Sequence, residues 1–373
     1  MSVGVIGGGQ LARMMIPASI NLGIDLRVFA EAEFSSARLA TSAVGDYTSA
    51  EELLAFAREV DVVTFDHEHV PLSNLNLLVS EGISVLPRPE ALALTHDKTV
   101  MRAKLAELDI PQPRWAVVRE ESARELDRVG GFPCVAKLPV GGYDGKGVRV
   151  VHSWEGIRDW LPLGPVLLEE LVAFERELSQ VSARRPSGQW VSWPLVETRQ
   201  EGGVCSVVIS PAPKVTTTQA LEAQRIAQHI ATECDVVGVL AVEMFEDSDG
   251  QILVNELAMR PHNSGHVFTE QSVTSQFEQH LRAVTDIPLG STASRQATGV
   301  MVNIFGGAPI EKWAAVSAQF PDVKFHSYQK AYRPGRKAGH MVVTGENAIE
   351  LLATLERARD TFGGEEPWEK PLG

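Results

Sequence analysis

A β-branched run at residues 3–6 ends in Gly7-Gly8-Gly9 and passes directly into helical apolar spacing at 10–22. No other feature narrows the fold as much. Glycine lets the backbone turn sharply from strand to helix, and a helix that follows a strand at once returns the chain to a parallel partner. The pattern continues with strand signals at 26–30, 60–65 and 83–86, and helix signals at 50–58 and 72–81. A βαβα order predicts a doubly wound parallel sheet. The turn also fits G-x-G-x-x-(G/A) through Ala12, with Glu31 or Glu33 where a ribose-binding acid would stand. A dinucleotide, a phosphate monoester and a tight turn without ligand all satisfy that spacing, and all three stay open.

Beyond residue 90 the punctuation changes. Residues 91–108 predict one helix, stopped by Ile110-Pro111-Gln112-Pro113. Strand signals at 115–118, 134–138, 148–152 and 166–170 predict a smaller antiparallel module. Between two of them lies Gly141-Gly142-Tyr143-Asp144-Gly145-Lys146-Gly147, the densest glycine cluster in the chain. Such a hairpin can lay backbone N–H groups over a polyphosphate and exclude water. An ordinary hairpin would have the same composition. It is not a Walker A sequence, because no Gly-Lys-Ser/Thr opens a helix there. Residues 222–233 and 274–283 read as helices, and 237–246 with 251–257 as a hairpin around Asp247-Ser248-Asp249-Gly250.

Glu243 and Glu256 flank that turn. If Glu246 pairs with Gln251, Ala241 lies opposite Glu256, and the two carboxylates project from one face as diagonal neighbours. They would repel unless a cation lay between them, and Mg²⁺ shared with nucleotide phosphates fits. A slip of one residue would send them to opposite faces. Solvated, idle carboxylates are the alternative, although both strands are otherwise mostly apolar. Arg260-Pro261-His262-Asn263-Ser264-Gly265-His266 follows at once and packs donors into a Pro/Gly loop. Arg333-Pro334-Gly335-Arg336-Lys337 gathers cations about a Pro-Gly turn. That suits a phosphate monoester, and also an ordinary surface charge run.

Composition excludes several classes. The chain carries 48 Asp plus Glu against 34 Lys plus Arg, a net charge of -14. That is the wrong sign for general binding to nucleic acid or an anionic membrane, though a few local cations can still hold a small anion. Cys134, Cys205 and Cys234 never form a Cys-x-x-Cys pair, which argues against a disulfide framework and fits a reducing cytoplasm. No basic-then-apolar leader opens the sequence, and no apolar run approaches the ~20 residues of a membrane span. A cytoplasmic protein is expected. Its 373 residues allow two or three domains.

Together these residues resemble one family. Gly7-Gly8-Gly9-Gln10-Leu11, Asp97-Lys98 ahead of Ile110-Pro111-Gln112-Pro113, Lys137 ahead of Gly142-Tyr143-Asp144-Gly145-Lys146-Gly147, Asn255-Glu256, the 260–266 run, Ser275-Gln276-Phe277-Glu278 and the 333–337 run occur in order. This is similar to the N5-carboxyaminoimidazole ribonucleotide synthases, ATP-grasp enzymes of purine biosynthesis, over nearly the whole chain. The resemblance implies an α/β and α+β architecture, an ATP-grasp fold with a Rossmann-like N-terminal domain and a small C-terminal domain. The implied limits are 1–94, 95–289 (with a mobile subdomain around 115–172) and 290–373. The implied activity is that of a carbon–nitrogen ligase. It would use ATP to carboxylate 5-aminoimidazole ribonucleotide with bicarbonate through carboxyphosphate, releasing ADP and phosphate. A homodimer with small-molecule substrates, and neither nucleic acid nor membrane as partner, is implied too.

Residue by residue, the resemblance places ATP on Lys98, Lys137, Gly142, Tyr143, Asp144, Gly145, Lys146, Gly147, Val148, Glu169, Val172, Glu177, Asn255 and Glu256. Glu243 and Glu256 become ligands for Mg²⁺, for which Mn²⁺ could substitute. Substrate contacts fall on Gln10, Glu68, Tyr143, Asp144, Arg260, His262, Asn263, Lys330, Arg333 and Arg336. Lys137, Tyr143 and Asp144 are the catalytic candidates, with Asp144 as acceptor of the amine proton. The chain departs from the family at Asp66-His67-Glu68-His69, where Glu-Phe-Glu-Asn is expected, at Met259, where proline is usual, and across 205–210. A formate-dependent transformylase of the same fold and an NAD-dependent oxidoreductase built on residues 7–12 are the competing readings. No second catalytic His or Cys constellation stands out for the latter.

Overall fold

The computed structural model describes residues 1–141 and 147–363. Ser2–Ile6 lies inside a parallel sheet ordered Thr41–Val44, Asp25–Ala30, Ser2–Ile6, Val62–Phe65. Ile6 pairs with Phe65, so both strands end at one edge and the segments that follow them, 7–10 and 66–69, meet there. Two details differ from the sequence reading. Thr41–Val44 is an added strand, missed because it is short and never fully buried. Residues 83–86 contribute only the isolated bridge Val63 to Val85, since Pro87 has no N–H with which to extend a ladder. The sheet's apolar face packs Val3, Val5 and Val28 against Leu11 and Met15, and against Phe277 and Leu281 of the Gln276–Val284 helix.

The single helix expected at 91–108 is two helices, Pro89–His96 and Lys98–Glu107. Asp97 breaks the run because its side chain caps the second helix, accepting the Thr99 N–H at 2.7 Å. Lys98 thereby becomes the first residue of a helix rather than an interior one. The small module is antiparallel as expected, ordered Trp115–Val118, Val166–Glu170, Cys134–Lys137, Val148–Val151.

Among the described residues the largest sheet has nine strands. Its path runs Ile252–Ala258, Gly238–Asp247, Phe174–Arg184, Val196–Glu201, Val204–Ser210, Thr298–Gly306, Arg333–Gly345, Lys324–Ser327, with Trp190–Ser192 beside Phe174–Arg184. The C-terminal strands therefore continue the sheet that carries Glu243. The hairpin register corrects the expected one. Glu246 pairs with Ile252, and a bulge beside Glu243 leaves Asn255 as the extra residue, so Glu243 stands directly opposite Glu256. The one-residue slip alone would have parted the two carboxylates; the bulge returns them to one face.

Candidate active site

Three elements converge on one buried carboxylate. Glu169 lies opposite Val135, so its side chain shares a face with that of Lys137 two residues along. Lys137 Nζ donates to Glu169 Oε2 at 2.7 Å and to Asn255 Oδ1 at 3.1 Å. Arg102, one helical turn beyond Lys98, donates Nε to the other oxygen of Glu169 at 2.7 Å. Burial alone would raise the Glu169 carboxyl, but Lys137 and Arg102 outweigh it and hold it at about 2. Lys98 Nζ meets Glu256 Oε1 at 2.9 Å. Lys98, Glu256, Asn255, Lys137 and Glu169, all expected on the nucleotide, thus form one continuous network. Both lysines are buried, which a cation tolerates only beside an anion.

Glu243 keeps 28% of its side chain exposed. Even so, the burial of its carboxyl, then the charges of Glu256 and Glu177, push it up to about 8. Glu177, paired with Phe245 in the sheet, is raised by burial to about 7. Crowded carboxylates of this kind are relieved by a divalent cation. No three His, Cys, Asp or Glu side chains among the described residues are grouped to hold a metal by themselves. Two carboxylates, Glu243 and Glu256, are a donor set that would suit Mg²⁺ shared with a nucleotide better than a metal held by protein alone. His262 Nε2 lies 3.3 Å from Glu243 Oε1, and its Nδ1 meets Ser264 Oγ at 2.9 Å.

A second cluster forms where the parallel sheet ends. Lys330 Nζ donates to Gln10 Oε1 at 2.5 Å. Asp66 accepts the Ala12 N–H at 2.7 Å, and Glu31 accepts the Gly8 N–H at 3.0 Å and pairs with His67 Nε2 at 3.0 Å. Burial opposes ionisation of Glu31, but those bonds bring its carboxyl down to about 2. The N–H groups of Gly8 and Ala12, which a dinucleotide would need, are thus engaged by the chain's own carboxylates. Gly9 permits this approach, because a Cβ there would stand 1.9 Å from Asp66 Oδ2. Glu68 accepts the Met259 N–H at 2.7 Å and lies 3.6 Å from Arg260 Nε. The departure at 259 therefore bears on the retained Glu68: proline there would have no N–H to give it.

Asn263 and Asn303 exchange amide hydrogen bonds at 3.2 and 2.8 Å. Arg333 is exposed and Arg336 half-buried on the strand of Lys337, whose charge offsets part of the rise of the Glu243 carboxyl. Val172 follows the Val166–Glu170 strand, and Gly147 and Val148 lead into Val148–Val151. Gly142, Tyr143, Asp144, Gly145 and Lys146 lie outside the described residues. The sequence reading missed Arg102, Asp66 and the part played by Gln276. Asp66 could have been found from its place just past an apolar strand. Gln276 accepts the His262 N–H at 2.8 Å and donates to the His262 carbonyl at 2.7 Å, a pairing that no local pattern reveals.

Three family models match in sequence order. They are a ribonucleotide synthetase preATP-grasp domain over residues 1–96, an ATP-grasp domain over 103–277 and a phosphoribosylaminoimidazole carboxylase C-terminal domain over 299–354. The N5-carboxyaminoimidazole ribonucleotide synthase of Mycobacterium leprae is 45% identical over 383 residues, covering 96% of this chain and 87% of that one. The protein of the same name from Synechococcus elongatus is 38% identical, covering 96% and 92%. Among solved structures, an ADP complex of N5-carboxyaminoimidazole ribonucleotide synthetase superposes with a TM-score of 0.88 at 31% identity, over 96% of each chain. The Aspergillus clavatus synthase, solved with ADP and 5-aminoimidazole ribonucleotide, gives a TM-score of 0.86 at 31% identity, over 97% of this chain and 98% of that one.

Proposed function

The chain belongs to the N5-carboxyaminoimidazole ribonucleotide synthase family, and from that premise we infer its reaction, the ATP-dependent carboxylation of 5-aminoimidazole ribonucleotide (AIR) in purine biosynthesis. It is an ATP-dependent ligase of the ATP-grasp fold. The observation that carries this to the chain's own atoms is the network from Lys98 through Glu256, Asn255 and Lys137 to Glu169. Buried cations, each fixed by an anion yet gathered at one cleft, are suited to a polyphosphate.

The finer account is our proposal. A bicarbonate oxygen attacks the γ-phosphorus of ATP, the bond from that phosphorus to the β–γ bridging oxygen breaks, and ADP leaves with carboxyphosphate formed. The AIR amine nitrogen then bonds to the carboxyl carbon as phosphate leaves, and the amine proton passes to Asp144. Lys98 and Lys137 neutralise charge as it moves onto ADP. Glu169 keeps Lys137 in place beforehand, so alignment costs nothing at the moment of transfer. Mg²⁺, or Mn²⁺ in its stead, held by Glu243 and Glu256, would supply further charge neutralisation at the phosphates.

We place the nucleotide also on residues 142–148, Val172 and Glu177, and assign Tyr143 to AIR as well. AIR and bicarbonate fall to Gln10, Glu68, Arg260, His262, Asn263, Lys330, Arg333 and Arg336. The domain limits proposed are 1–94, 95–289 and 290–373, in a cytoplasmic homodimer. No helix among the described residues is long and apolar enough to cross a membrane. ADP release with AIR present tests the donor. Stimulation by bicarbonate supports carboxylation, whereas stimulation by formate alone would assign the chain to formyl transfer.

A further inference from the structure

We propose that Arg102 is a positioning residue that couples the two walls of the nucleotide cleft, a role that rests on the ATP-dependent reading above. Its side chain is fully buried, so it cannot itself touch ATP. One guanidinium serves both walls. Nε donates to Glu169 Oε1 at 2.7 Å, while Nη1 reaches the Val254 carbonyl and Nη2 the Asn255 carbonyl, each at 2.8 Å. Glu169 belongs to the small antiparallel sheet, and Val254 and Asn255 to the edge strand of the large one.

Each acceptor adjoins a group assigned to the nucleotide. Glu169 holds Lys137 at 2.7 Å, Asn255 accepts from Lys137 through its side chain at 3.1 Å, and Glu256 holds Lys98 at 2.9 Å. The two carbonyls also lie at the bulge that sets Glu256 opposite Glu243. An edge strand leaves one side of its ladder unpaired, and a bulge there has little to fix it. The planar fork of Arg102 fixes it, binding adjacent carbonyls and a carboxylate at once. A lysine ammonium keeps the charge but has no such fork. Moving Arg102 would shift Lys137, Lys98 and Glu256 relative to one another, while Gln10 and Lys330 belong to a separate cluster.

The test is Arg102→Lys in the full-length protein, assayed by coupled ADP release with ATP, Mg²⁺, AIR and bicarbonate. The KM for ATP and the Mg²⁺ concentration giving half-maximal rate should each rise about tenfold, with the KM for AIR unchanged. Unaltered KM values with only a lower kcat would mean that Arg102 merely supports folding, and would overturn the proposal. Wild-type protein without ADP release would instead refute the ATP-dependent reading itself. Should the lysine variant fail to fold, the Arg102 Nε–H of the nucleotide-free wild type decides, followed by hydrogen exchange. Protection of about a hundredfold or more shows the link in place before ATP arrives. Exchange at the rate of an exposed guanidinium would refute it.

Discussion

Replacing Glu169 with Gln changes charge while hardly changing shape, and so isolates the electrostatics of the cleft. Glu169 is 2% exposed and receives Lys137 and Arg102, one on each oxygen, both at 2.7 Å. Its carboxyl sits at about 2 in place of 4.5, a preference for the charged form of about 3 kcal/mol. Glutamine offers one neutral acceptor and turns an NH₂ donor towards a cation. Breaking a buried pair from one side costs roughly 3–5 kcal/mol, in line with the first figure. A loss of that size lowers the thermal midpoint by about 6–20 °C for a domain of some 200 residues. The sign with pH follows from a lowered carboxyl: the stabilisation is complete above about 4.5 and fades as pH falls towards 2. Thermal melts of both proteins at pH 7 and pH 4 are the assay, with calorimetric ATP titration alongside. ATP affinity should fall roughly tenfold to a hundredfold, because Lys137 loses its anchor. Equal midpoints at pH 7, or a difference that fails to narrow in acid, would refute the reasoning.

Arg336→Ala should raise the AIR dissociation constant about tenfold to a hundredfold through loss of a charge-assisted phosphate contact, with Mg·ATP affinity unchanged by calorimetry. Gly9→Ala should force Asp66 away from the Ala12 N–H, since the new Cβ would stand 1.9 Å from Asp66 Oδ2. A cost of about 1–3 kcal/mol in denaturant unfolding is expected there, and a wild-type unfolding curve would show that the turn yields freely. Asp144→Asn should let ADP release outrun carboxylated product. Full coupling at the wild-type rate would remove the proton-accepting role from Asp144.

The parallel sheet and the small antiparallel module were legible because glycine turns and apolar runs are local signals. The meeting of residues 7–10 with 66–69 follows once adjacent parallel strands are granted. Asp97 was harder: the apolar spacing of 91–108 runs through it, and only its capping bond shows that the helix restarts at Lys98. The facing of Glu243 and Glu256 was inferred on the right face but in the wrong register, because neither the one-residue slip at the turn nor the compensating bulge at Asn255 has a sequence signature. Arg102 was invisible for another reason. Two of its partners are backbone carbonyls, about 150 residues away, and backbone groups leave no trace in residue identity. Met259, where the family has proline, became intelligible only through the hydrogen bond that its N–H gives Glu68, a position that keeps the family's glutamate.

The most direct measurement counts ADP and carboxylated AIR together, at early times, in a mixture of protein, Mg·ATP, AIR and ¹³C-bicarbonate. A carboxylating ligase should release one ADP for each labelled product, and omission of AIR or of bicarbonate should abolish product formation. Full-rate ADP release without bicarbonate, or labelled product without ATP, would contradict ATP-dependent carboxylation by this chain.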